Sequence, residues 1–146
     1  MTLKKAHAYT VVDVFTTEPL AGNPLAVFPD ASEFDAVIMQ RIARKLNLTE
    51  TAFVLPATRS DCAARLRIFT PAKEMEFAGH PTLGTAFVLV QKGIVPSNNS
   101  GFLLEEEAGL ISIRVEEGQC PLIVAGVSSG AAAHAALAVA ARKEAS

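Results

Sequence analysis

The chain has little with which to hold a metal, bridge itself covalently or grip a polyanion. Its two cysteines, Cys62 and Cys120, stand far apart. They make no disulfide framework, and a reducing compartment such as the cytoplasm fits them. The three histidines, His7, His80 and His134, are scattered, and with two distant cysteines they offer no metal-ligand spacing. There is no excess of basic charge: 13 Lys and Arg against 15 Asp and Glu leave a net charge of −2 and a pI near 5.9. That balance argues against a nucleic-acid partner. Lys4 and Lys5 give a basic start, but His7 and Asp13 interrupt the apolar core that a signal peptide needs. The long apolar stretch over residues 123–141 is mostly alanine and carries Ser128, Ser129 and His134. It reads as a buried helix and not as a membrane span.

What is present is enough for one domain with a sizeable core: 146 residues, half of them apolar. Residues 8–15 are rich in β-branched and aromatic types and read as a strand. Residues 18–24 form a turn-rich connection to a short strand at 25–28. Ser32 is a candidate N-cap for a helix from Glu33 that buries Phe34, Val37, Ile38, Ile42 and Leu46. A strand at 51–55 and an alternating strand at 65–69 follow, the latter with Arg65 and Arg67 on its wet face. Residues 102–105 and 110–116 read as a strand pair with Gly109 near the turn, and Glu105, Glu106 and Glu107 as solvated turn residues. The pattern is α+β.

The most informative stretch is Glu74 to Thr85. It reads as a loop turning into a helix over about residues 81–92, with Pro81 opening it and Gly93 closing it. Leu83, Ala86, Phe87 and Val90 fall on one face, yet Val88 and Leu89 are apolar too, so protein should wrap the helix on most sides. The start of such a helix offers unpaired N–H groups and a partial positive charge. Gly79 lets a ligand approach the backbone, and His80 adds a titratable donor. A carboxylate is the kind of group this turn suits.

Several stretches, in order, carry a family resemblance: Asp13-Val14-Phe15, the run from Gly22-Asn23-Pro24 to Phe28, Gln40 to Ala43, Asn47-Leu48-Thr49-Glu50 to Val54, Arg67 to Pro71, and Phe77-Ala78-Gly79-His80-Pro81 to Ala86. At this spacing, over residues 7–117, the chain resembles the N-terminal half of the PhzF-like isomerases of phenazine biosynthesis. The resemblance implies a diaminopimelate-epimerase-like half, a curved and mostly antiparallel sheet wrapped round a central helix. It also implies cofactor-independent movement of a proton within a small carboxylate similar to dihydro-3-hydroxyanthranilate. The family's catalytic glutamate falls on Glu50. Its Gly-His-Pro motif puts substrate contact on His80 and carboxylate binding on Gly79, and Asn23 matches a position near the cleft.

A family member would continue into a second domain bearing an aspartate that faces the glutamate. Residues 118–146 instead read as an atypical tail with an alanine-rich helix from Gly130 to Glu144, the second domain being absent. Within it, Val124 to Ala133 is similar to the Gly-Val-Ser-Ser-Gly-Ala-Ala segment of cysteine-synthase-like pyridoxal-phosphate enzymes, without the lysine motif of a Schiff base, so no cofactor is expected. The competing expectation is a non-catalytic half-domain that binds carboxylates or a protein partner. A half whose inner face loses its sister domain is expected to pair with a second copy as a homodimer.

Overall fold

The computed structural model describes residues 5–14, 21–95, 101–116, 122–127 and 136–143. In chain order they form β1 (Thr10–Val14), β2 (Asn23–Phe28), α1 (Ala36–Leu46), β3 (Glu50–Leu55), β4 (Ala64–Phe69), β5 (Glu74–Met75), α2 (Gly79–Gln91), β6 (Phe102–Glu106), β7 (Gly109–Glu116), β8 (Leu122–Val127) and β9 (Ala136–Lys143). One sheet takes in every strand, in the order β3-β2-β1-β9-β8-β7-β6-β4-β5. An additional β3–β4 pairing joins the two sides of this row, so the strands from β3 round to β4 close into a ring. β6 and β5 share one edge of β4, at Ala64–Arg65 and at Ile68–Phe69 respectively. The pairs β2–β3 and β4–β6 are parallel and the others antiparallel. This is the expected α+β fold, a curled sheet round a helix.

Strand alternation sorts side chains to two faces. Val12, Val14, Leu25, Ala52, Val54 and Leu66 point inward onto Leu83, Ala86 and Phe87 of α2. Every residue of α2 from Pro81 to Leu89 is buried, which is what a helix apolar on all sides requires. Gly84 marks the closest approach: a Cβ there would lie 2.6 Å from Leu25 Cδ2 and 2.8 Å from Val14 Cγ2. The helix stops as expected, with Gly93 at φ 68° just past the Lys92 cap. It starts earlier than expected, at Gly79 after the N-cap Ala78, so Pro81 is third in the helix and not first. Proline is tolerated there because N–H groups of the first turn have no acceptor within the helix.

The outward residues Phe28, Phe53 and Phe69 pack with Phe34 and with Ile38, Met39 and Ala43 of α1. Phe28 stacks on Phe53 at 5.1 Å between centroids, and Phe69 meets Phe53 edge-on at 5.5 Å. Two expectations for α1 need correction. Its N-cap is Asp35, whose carboxylate accepts the Ile38 N–H at 2.8 Å, whereas Ser32 donates its hydroxyl to Asp30. With the helix beginning at Ala36, Val37 turns to solvent and is 66% exposed. Arg67 and Arg65 lie on the outer face as expected; Arg67 makes a two-pronged pair with Glu74, 2.7 Å on each arm, that ties β5 to β4.

The described part of the alanine-rich helix expected over residues 130–144 is not helical. Ala136–Lys143 are strand β9, paired to β1 on one side and to β8 on the other. Alanine's helix preference is worth at most about 0.7 kcal/mol per residue over ordinary residues, and here two backbone ladders compete with it. Residues 128–135 and 144–146, with Ser128, Ser129 and His134 among them, lie outside the described residues, as do 15–20 of the first connection. Among the described residues no helix is long and apolar enough to cross a membrane.

Candidate active site

Glu50 opens β3, where its register partner across the parallel β2–β3 pair is Leu25. Leu25 points at α2, so Glu50 shares the inner face with Ala52 and Val54. His80 is the second residue of α2. The geometry therefore brings together two residues 30 positions apart: His80 Nε2 lies 2.7 Å from Glu50 Oε2, with side chains only 14% and 13% exposed. The approach lacks the alignment of a full hydrogen bond, and Glu50 Oε2 is buried with no other partner. Burial raises the proton affinity of Glu50 and lowers that of His80. Both shifts favour the uncharged forms, a carboxylic acid beside a neutral imidazole, over a buried ion pair.

Gly79 precedes His80 at the helix start, and a Cβ built on it meets nothing within 4 Å. The turn is open on that side, so a ligand can reach its backbone. Asn23 begins β2 opposite Val14 and lies two residues before Leu25, on the same row as the partner of Glu50. It is exposed at that end of the sheet. Glu50, Gly79 and His80 thus meet at the opening turn of α2, and Asn23 lies on the β2 row that leads to Leu25, the register partner of Glu50. His7 belongs elsewhere, 3.4 Å from Glu33 and packed on the Phe34 ring. Among the described residues no group of three or more His, Cys, Asp or Glu could hold a metal ion.

The sequence reading missed two polar residues here. Glu105 and Glu106, expected in a solvated turn, are each only 8% exposed because β6 runs one residue further than expected. Glu105 faces outward, where it accepts the Thr58 hydroxyl and the Arg59 N–H, both at 2.6 Å. Glu106 faces inward, where the buried Thr82 hydroxyl of α2 lies 2.6 Å from its Oε1. Burial, opposed only by that hydrogen bond, pushes the Glu106 carboxyl up to about 7. The signal was the two-residue step from Leu104, whose inward orientation forces Glu106 inward as well.

A curled sheet closed round a buried helix, with a glutamate and a histidine meeting at the helix start, defines an epimerase-like α+β protein. The chain belongs to the PhzC–PhzF family of phenazine biosynthesis-like proteins, whose pattern matches residues 12–125. It is 50% identical over 108 residues to an uncharacterised isomerase of Mesorhizobium japonicum, covering 73% of this chain and 35% of that protein. It is 43% identical over 122 residues to the trans-2,3-dihydro-3-hydroxyanthranilate isomerase of Pseudomonas chlororaphis, covering 83% of this chain and 42% of that one. A solved PhzF-family phenazine biosynthesis protein of Bacillus anthracis superposes with a TM-score of 0.74 at 33% identity, over 81% of this chain and 39% of that one. The chain thus spans between a third and a half of the length of these relatives.

Proposed function

We propose that the chain carries the glutamate–histidine half of an isomerase site that moves a proton between two carbons of a small carboxylate, without a cofactor. The observation that carries this reading is the buried 2.7 Å approach of Glu50 to His80 beside the open Gly79 turn. In its ionised form Glu50 takes a proton from one carbon; that proton exchanges with solvent on the carboxyl, and as the acid Glu50 delivers a proton to another carbon, so substrate and product differ only in proton position and double bonds. A glutamate whose proton affinity is raised by burial is suited to both steps. His80 contacts the substrate, and the N–H groups at the start of α2 hold its carboxylate. Asn23 lines the mouth of the cleft from β2. The relatives named trans-2,3-dihydro-3-hydroxyanthranilate isomerase support a substrate of that kind.

In this reading residues 1–117 are the family's N-terminal domain, Leu122–Val127 and Ala136–Lys143 of the tail add strands to its sheet, and the sister domain that would face Glu50 with an aspartate is not within these 146 residues. A second copy of the chain is the proposed cover for the cleft, in a two-fold homodimer. The proposed setting is the cytoplasm. The similarity of residues 124–133 to a pyridoxal-phosphate segment plays no part.

The test is solvent exchange. Incubated in D₂O with trans-2,3-dihydro-3-hydroxyanthranilate, the protein should place one deuterium on substrate carbon, read by NMR, and Glu50→Gln should abolish it. Equal uptake by the variant would remove Glu50 from its role. A wild-type protein that exchanges nothing yet binds the compound would support the alternative, a carboxylate-binding half-domain, which the fractional coverage of the relatives favours.

A further inference from the structure

Thr82 holds a position that a single hydrogen cannot satisfy. Its Oγ1 lies 2.6 Å from Glu106 Oε1 and 2.9 Å from the Ala78 carbonyl oxygen. A threonine hydroxyl has one hydrogen to donate. If Glu106 is ionised, that hydrogen goes to the carboxylate and the Ala78 oxygen keeps only the Thr82 N–H, at 3.3 Å. If Glu106 carries a proton, it donates to Thr82 Oγ1, the Thr82 hydroxyl turns to Ala78, and all three atoms are served in one direction. The Ala78 carbonyl and the Gly79 N–H belong to one peptide group. A hydrogen bond accepted on the oxygen side polarises and orients the N–H side, because linked hydrogen bonds reinforce one another in a buried setting. α2 has no side-chain cap and no acidic residue in its own first turn, and Glu106, reaching in from β6, is the acidic group that contacts the Thr82 hydroxyl in that turn.

We propose that Glu106 is a positioning residue for the Gly79–His80 turn, acting through the Thr82 hydroxyl and the Ala78 carbonyl. Its protonated form strengthens the Gly79 N–H as a donor to an anionic ligand, and its ionisation turns the Thr82 hydroxyl away and weakens that donor. The ligand side of this rests on the reading of Gly79 as a carboxylate contact; the relay itself does not. Among the described residues, no neighbouring charge contributes to the proton affinity of Glu106, which burial and Thr82 set. On the elements packed round it, Arg67 of β4 is paired with Glu74 of β5, and Arg114 of β7 is exposed, out of phase with the inward Ile111 and Ile113. His80 is on α2 and is engaged with Glu50 of β3. Glu105 faces the opposite side of β6 with Arg65 of β4 near it. Glu76 meets the β6–β7 turn through its backbone carbonyl, which accepts the Ala108 N–H at 3.2 Å. Glu107 is exposed in that turn.

The experiment follows the Glu106 carboxyl carbon and the Gly79 amide by NMR across pH 4 to 9 in the intact chain without ligand. In the wild type both should titrate together with a midpoint of about 7. In Glu106→Gln, whose amide still donates to Thr82, the Gly79 transition should vanish, while any component from His80 remains. In Thr82→Val, Glu106 should still titrate but Gly79 should no longer follow it, and Thr82→Ser should restore the coupling. A Gly79 transition that survives in Glu106→Gln or Thr82→Val would overturn the proposal. So would a wild-type Glu106 that titrates in the ordinary carboxylate range, a result that needs no variant to fold. None of these readouts depends on turnover, so a chain inactive towards substrate yet showing the coupled titration would refute the proposed function and leave the relay standing.

Discussion

At the scale of residues, the site is governed by burial of groups that prefer water. Glu106 shows the consequence for stability. Its carboxyl is held at about 7 against an ordinary 4.5. Below the ordinary value it is protonated in both folded and unfolded chains, and its neutral form is accommodated in full. As pH rises through the folded value the unfolded chain has already released the proton, so folding loses up to about 3 kcal/mol by the time the pH passes neutrality. Glu106→Gln removes that titration. The variant should match the wild type within about 1 kcal/mol at pH 4 and exceed it by about 2–3 kcal/mol at pH 8 in urea unfolding. A variant that is less stable at both values would mean that the ionised carboxylate is well accommodated after all. His80 acts in the opposite sense: its lowered proton affinity gives stability that is present above pH 6.5 and is lost as pH falls below it. That Glu50 and His80 would meet was expected from the family resemblance carried by the ordered motifs, and the two side chains do approach to 2.7 Å. Glu106 was not legible, because three consecutive glutamates look solvated unless the phase of the strand is carried through them.

At the scale of elements, the pattern of a strand or helix was easier to read than its ends. Ser32 and Asp35 are both good caps three residues apart, and only the packing of Ile38, Met39 and Ala43 onto the phenylalanine cluster selects the later one. Asp35→Ala should therefore cost about 1 kcal/mol, whereas Ser32→Ala should change the melting midpoint little. The reverse order in thermal melts would restore the cap at Ser32. The central helix was legible for a different reason, its lack of a polar face. Its tightest point was not: Gly84 looked like one more small residue in the sequence, yet it touches Leu25 and Val14 across two strands. Gly84→Ala gains about 1 kcal/mol of helix propensity but forces two inward side chains aside, at a cost of about 1–3 kcal/mol. A net loss of stability of about 1 kcal/mol is expected, and a variant that melts higher than the wild type would show that the sheet yields easily there.

At the scale of the whole molecule, closure of the sheet decides what is exposed. The curled sheet and its central helix followed from local patterns joined to a family resemblance, but the closing strand was hidden by composition. An alanine-rich segment carries no period-2 signal, so only the presence of two strands lacking neighbours could identify it. β9 supplies that neighbour to β1 and β8 at once, through the registers Val12↔Arg142 and Val124↔Leu137, and it lies beyond the stretch that matches the family pattern. Ending the chain after Val127 would leave one edge of β1 and one edge of β8 with unpaired backbone groups. It would also uncover α2, which β9 contacts. Unpaired strand edges beside an apolar face pair readily with other chains. The full chain should therefore sediment as one discrete species, a dimer if the cleft faces pair as proposed, and should bind little of a dye that reports apolar surface. The shortened chain should form a broad distribution of larger species at micromolar concentration and bind the dye strongly. Substitution of Ala138, the register partner of Ile123 in β8, by proline in the full-length chain asks the same question without deletion, since proline is poorly tolerated inside a paired strand. A shortened chain as discrete and as dye-silent as the full one, together with a proline variant of unchanged stability, would mean that the ring holds without β9.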